Sequence, residues 1–169
     1  PWERAGEYIR ENSDEDDKIY VWGWVPGVYV KAGRLAPVPD AFEGDMHNRT
    51  PARLGRLVSE LLEGFEQDPP EFIVDTRKRH FPWDRPPLEL WPMVPKGFMG
   101  AERTGFLPDK VKLVDYYEKV WKKYLEENVG EREDERFEAM KPLRDFVMNN
   151  YRIAAVEGPF VVFERKGES

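Results

Sequence analysis

One string collects acids, an imidazole and a guanidinium in a short space: Asp40-Ala41-Phe42-Glu43-Gly44-Asp45-Met46-His47-Asn48-Arg49-Thr50. Glu43, Asp45 and His47 alternate, so an extended backbone points all three to one side, as a hard metal ion or acid-base work requires. A polar connection before a capped helix has the same composition. With only two histidines in the chain, His47 and His80, the residues by themselves assign no metal and no catalytic group. A second candidate is Arg77-Lys78-Arg79-His80, the one basic cluster, just beyond a predicted strand. Open α/β sheets bind ligands past the carboxyl ends of their strands, so Arg77, Arg79 and His80 suit a phosphate or an acidic sugar. A solvated loop balancing an acidic domain is the plainer reading. Trp83 and Trp91 follow closely, and their flat apolar faces either complement the C–H face of a pyranose or form a small core of their own.

Two other strings carry less. Gly23-Trp24-Val25-Pro26-Gly27 places glycines between a strand and a helix, but it lacks the dinucleotide fingerprint and the Lys-Ser/Thr ending of a phosphate loop. It reads as a turn with unusual backbone angles, and no cofactor follows from it. The acidic run Asp14-Glu15-Asp16-Asp17 lacks the spaced ligands and turn glycine of a calcium loop, so it reads as a solvated turn.

The composition narrows the function classes. Among 169 residues, Lys+Arg number 26 and Asp+Glu 33, a net charge of −7 that argues against a broad phosphate-binding face and hence against nucleic acid. Cys 0 excludes disulfides, thiolate nucleophiles and Cys-ligated zinc. No apolar run approaches the ~20 residues that span a bilayer, so the chain is expected to be soluble as an isolated piece. It opens at Pro1-Trp2 without an initiator Met, and a fragment of a larger protein is the expectation.

The elements that must position these residues follow from periodicity. Trp2, Ala5 and Ile9 put a stripe on a first helix ending near Asn12-Ser13, and residues 18–22 read as a strand. A short helix through Val28 stops at Gly33, and residues 34–38, with Pro37 and Pro39 at hand, read as an edge strand. Leu54, Leu57, Val58, Leu61, Leu62 and Phe65 define a helix over 51–66, with Thr50 as N-cap and Pro51 first. A buried strand is predicted at 71–75. From 77 to 109 the periodicity vanishes and prolines alternate with aromatics, which marks an insertion whose aromatic surface is packed or binds something. A helix through Leu113, Tyr117, Val120, Trp121 and Tyr124 follows, and Gly130 to Asp134 interrupt or extend it. A last helix starts near Pro142, and strands at 152–156 and 160–165 close the chain around Glu157-Gly158-Pro159. The expected fold is one α/β domain over 1–169, a three-layer, Rossmann-like mixed sheet with a C-terminal β-hairpin and a Pro/aromatic-rich insertion.

Several of these strings resemble a known family. Ala5-Gly6-Glu7-Tyr8-Ile9-Arg10 and the run from Asp17 to Arg34, including Trp22-Gly23-Trp24-Val25-Pro26-Gly27 and Ala32-Gly33-Arg34, resemble the segment after the last membrane helix in bacterial relatives of the dolichyl-phosphate-mannose protein mannosyltransferases. These belong to the GT-C superfamily of polyprenyl-phosphate-sugar glycosyltransferases. Pro70-Glu71-Phe72-Ile73-Val74-Asp75 is similar to a later strand of that tail, and Asn150-Tyr151-Arg152 with Phe160-Val161-Val162-Phe163-Glu164-Arg165 to its closing hairpin. The resemblance spans roughly 2–76 and 140–166 and has no counterpart for the region between. It implies a non-catalytic domain at the extracytoplasmic face of the cell membrane, whose partners are the membrane-embedded part of the same polypeptide and a glycan or peptide acceptor. The family's catalytic base lies in an early extracytoplasmic loop that this sequence does not include, so no catalytic residue carries over. The competing readings are an independent glycan- or peptide-binding module built on the insertion, and a soluble sugar-processing enzyme using Glu43, Asp45 and His47.

Overall fold

The computed structural model describes residues 1–40, 49–76, 111–128, 130 and 132–167. In chain order these form α1 (Trp2–Glu11), β1 (Ile19–Trp22), α2 (Gly27–Ala32), α3 (Pro51–Gln67), β2 (Phe72–Asp75), α4 (Val111–Asn128), α5 (Glu133–Ala139), α6 (Lys141–Asn150), β3 (Tyr151–Glu157) and β4 (Phe160–Arg165). The chain is therefore mixed α/β. Its four-stranded sheet has the order β1-β2-β4-β3. β1 and β2 run parallel, with Ile19 opposite Phe72 and Trp22 opposite Asp75, while β4 is antiparallel to both β2 and β3.

Alternation along the strands sends neighbouring side chains to different cores. Ile19, Val21, Phe72, Val74, Phe160 and Val162 cluster with Ala5, Ile9, Val28 and Ala32, which belong to α1 and α2. Tyr20, Ile73, Val161 and Phe163 cluster instead with Leu54, Val58, Leu61 and Phe65 of α3 and with Leu143 and Val147 of α6. The predicted stripe of α3 is thus its buried face. Thr50 caps that helix through an acceptor bond from the Arg53 amide at 3.4 Å, and Pro51 occupies its first turn, where a missing N–H leaves nothing unsatisfied.

The ends of α1 and α2 are closed by side chains and by backbone geometry. Asn12 Nδ2 donates to the Tyr8 carbonyl and Ser13 Oγ to the Ile9 carbonyl, both at 2.7 Å, which satisfies acceptors left open at the last turn of α1. Gly33 ends α2 in the left-handed region, with φ 67°. α4 ends at Asn128 and α5 begins at Glu133, so the helix is interrupted around Gly130, and Glu133 and Asp134 open the new helix.

One expected element is absent. Residues 34–38 form no edge strand but a single parallel bridge between Lys18 and Leu35. Pro37 and Pro39 deprive the segment of donors, and Val38 turns its side chain onto Gly64 of α3, where a Cβ would overlap it.

Candidate functional site

The place where α/β architecture concentrates ligand chemistry is the end at which the parallel strands β1 and β2 finish. Two short segments meet there. Past β1, Gly23 takes φ 125°, a conformation that L side chains rarely adopt. Past β2, Thr76 is buried, and its amide donates to the Trp22 carbonyl at 3.1 Å. Thr76 Oγ1 fills the space that a Cβ on Gly23 would occupy, so the two segments pass at backbone contact distance. Asp75, only 2% exposed, is the last residue of β2 and lies opposite Trp22 and Val161.

The same end carries the start of the chain. The Trp2 ring packs over Gly27 at the first turn of α2, where an added Cβ would sit 3.0 Å from it. Pro1 lies against Gly158 in the turn between β3 and β4, and Arg4 Nε pairs with Glu157 Oε2 at 2.8 Å. Trp24, which follows Gly23 past the end of β1, is exposed.

A cleft of about 500 Å³ opens at the opposite end, lined by Phe65, Glu66, Glu71, Asn149, Tyr151 and Arg165 among others. Nothing in the sequence marked it, because its walls come from the ends of four elements far apart in the chain. Its polar groups hold the fold together. Arg165 Nε donates to Glu71 Oε2 at 2.9 Å, Tyr151 Oη to the Pro70 carbonyl at 2.6 Å, and Lys166 Nζ to the Asn149 carbonyl at 3.0 Å. The last contact sets a cation at the carboxyl end of α6, the end that favours positive charge.

Buried polar groups elsewhere also act on the scaffold. Arg144, in α6, sets its Cζ over the Phe137 ring, 3.7 Å from its centroid, and donates from Nη1 to the Phe137 carbonyl at 2.8 Å. Burial lowers its pKa to about 10 against the opposing pull of Glu118, whose carboxylate stands 3.9 Å from Nη2. Among the described residues, no group of three or more His, Cys, Asp and Glu is placed to hold a metal ion. No helix among them is long and apolar enough to cross a membrane.

The residues singled out from sequence, Glu43, Asp45 and His47 in one loop and Arg77, Arg79, His80, Trp83 and Trp91 in the insertion, lie outside the described residues. The described chain reaches them covalently at Asp40, Arg49 and Thr76. The last of these is at the carboxyl end of the parallel pair. No protein-family model, curated protein or solved structure matches the chain.

Proposed function

We propose that this chain is the non-catalytic, extracytoplasmic C-terminal domain of a polytopic membrane glycosyltransferase that draws on a polyprenyl-phosphate-sugar donor and is mannosyltransferase-like in its tail. The observation that carries the reading is the use the fold makes of the resembling strings. Gly6 packs against Val28 and Lys31, Gly27 receives the Trp2 ring, Gly23 receives Thr76, and Gly33 ends α2. Arg34 then ties α1 to α2 through five donor contacts. Residues that resemble the family therefore cooperate in one packed unit, which supports a shared scaffold over scattered coincidence.

In this reading the sheet is the middle layer of a Rossmann-like three-layer arrangement, with β3 and β4 as the closing hairpin. The two core clusters and the antiparallel β3–β4 register support it. The domain's partners are the membrane-embedded part of its own polypeptide and a glycan or peptide acceptor. Acceptor recognition falls to Arg77, Arg79, His80, Trp83 and Trp91, which follow Thr76 in sequence.

The gene supplies the test. A reading frame that continues upstream of Pro1 through many membrane spans is the expected result, and a start codon immediately before Pro1 removes the reading. Purified chain is also expected to leave polyprenyl-phosphate sugars untouched, since the groups that stabilise the transition state belong to the membrane part. Turnover that Asp45→Asn or His47→Ala abolishes would establish a soluble sugar-processing enzyme instead.

A further inference from the structure

Pro1, Trp2, Trp24, Pro26 and Pro159 are all exposed. Two placements bring them to one end of the domain: Trp2 lies over Gly27, next to Pro26, and Pro1 lies against Gly158, next to Pro159. Trp24 belongs to the same end because it directly follows β1 and Gly23. The exposures of the two indoles, 62% for Trp24 and 38% for Trp2, are high for side chains of this size. An indole combines a large apolar ring with one N–H donor, and the lipid headgroup region accommodates both at once.

From this geometry we infer that the end of the domain bearing Trp2 and Trp24 rests on the bilayer surface, with the two indoles as interfacial anchors. The inference rests on the function proposed above, in which the membrane-embedded part precedes Pro1 and the chain enters the domain inside this patch. A net charge of −7 disfavours attraction to anionic headgroups, so apolar contact carries the attachment and zwitterionic lipid suffices. Among the described residues, Arg4, two positions after Trp2, is paired with Glu157.

The test mixes the purified chain with phosphatidylcholine vesicles whose acyl chains are brominated, and reads flotation and quenching of tryptophan fluorescence. Wild-type protein is expected to float with the vesicles and be quenched. Trp24→Ala should partition roughly tenfold more weakly, the change that follows when on the order of 60 Å² of indole no longer leaves water. Its melting temperature should stay unchanged, because the ring it removes is mostly in solvent. Trp2→Ala should add to the loss. Failure of the wild-type chain to float, or equal quenching in Trp24→Ala, overturns the inference. So does self-association without lipid that Trp24→Ala abolishes, which would give the surface to a second copy. Vesicle binding without upstream membrane spans would leave the surface standing and remove the function. Upstream spans without vesicle binding would do the reverse.

Discussion

Arg34 and Ser13 are joined twice: Arg34 Nε donates to Ser13 Oγ at 3.0 Å, and Nη2 donates to the Ser13 carbonyl at 2.8 Å. The guanidinium of Arg34, a residue only 8% exposed, also reaches the carbonyls of Ala32, Gly33 and Arg10. One planar cation thereby serves the carboxyl ends of both α1 and α2, where open carbonyls and the helix dipoles favour positive charge.

Arg34→Lys is expected to lower unfolding free energy by about 2–3 kcal/mol, because an ammonium on a flexible stem cannot make the forked set of bonds. Ser13→Ala keeps the carbonyl acceptor and should cost only about 1 kcal/mol. Urea denaturation of the two variants checks the order; a lysine variant as stable as wild type would show that the fork contributes nothing.

The next expectation concerns Gly23. Gly23→Ala meets two obstacles, a backbone at φ 125° and the Thr76 hydroxyl in the space of the new methyl. Gly33→Ala meets only the first, with φ 67° and no atom within 4 Å, and should cost about 1–2 kcal/mol. Gly23→Ala should cost clearly more. Adding Thr76→Ala should recover part of the difference, and a double-mutant cycle that shows no coupling would refute the contact.

These relationships show what could be read in the sequence and what could not. α3 was legible because a stripe of apolar residues, an N-cap Thr and a first-turn Pro all agree over 51–66. The strands were legible as short apolar runs between turn residues, and Gly23 was legible as a turn of unusual backbone geometry. Its partner Thr76 was not, since their contact depends on the parallel pairing of β1 with β2. The edge strand expected at 34–38 failed because propensity cannot weigh Val38 against a docking place on Gly64. Arg144 was invisible as a core residue: arginine is ordinarily a surface residue, and only the tertiary position of Phe137 and Glu118 makes its burial tolerable. The candidate site residues named from sequence lie outside the described residues; ahead of the insertion the described chain stops at Asp75 and Thr76, which were not among those candidates. That the exposed Trp2 lies at the same end as Trp24 was missed because it depends on α1 packing along α2, which sets the Trp2 ring over Gly27.

Alkaline pH should destabilise the fold through two phenols. The Tyr29 hydroxyl accepts from the Val21 amide at 3.0 Å, and the Tyr151 hydroxyl donates to the Pro70 carbonyl. Burial raises both above the ordinary value of 10.0. The folded state then holds protons that the unfolded chain releases, so this contribution is complete below pH 10 and is lost as pH rises above it. Urea midpoints measured between about pH 8 and pH 11 should fall less steeply for Tyr29→Phe and Tyr151→Phe than for wild type. Parallel curves would show that neither phenol is linked to folding.

Leu61 tests how α3 meets the sheet. It is 5% exposed and packs in the cluster that holds Tyr20, Ile73 and Phe163, whereas its neighbour Leu62 only borders that cluster. Leu61→Ala removes methyl groups from a packed interior and leaves a cavity that the rigid strands cannot close, at a cost of roughly 2–5 kcal/mol. Leu62→Ala starts from a partly solvated side chain, so less transfer free energy is lost and water can enter the space left behind. The helix propensity of alanine favours both variants to the same extent, and the difference between them therefore reports packing alone. Denaturant unfolding followed by circular dichroism should rank Leu61→Ala well below Leu62→Ala. The reverse ranking would mean that α3 is turned about its axis, with Leu62 facing β1 and β2.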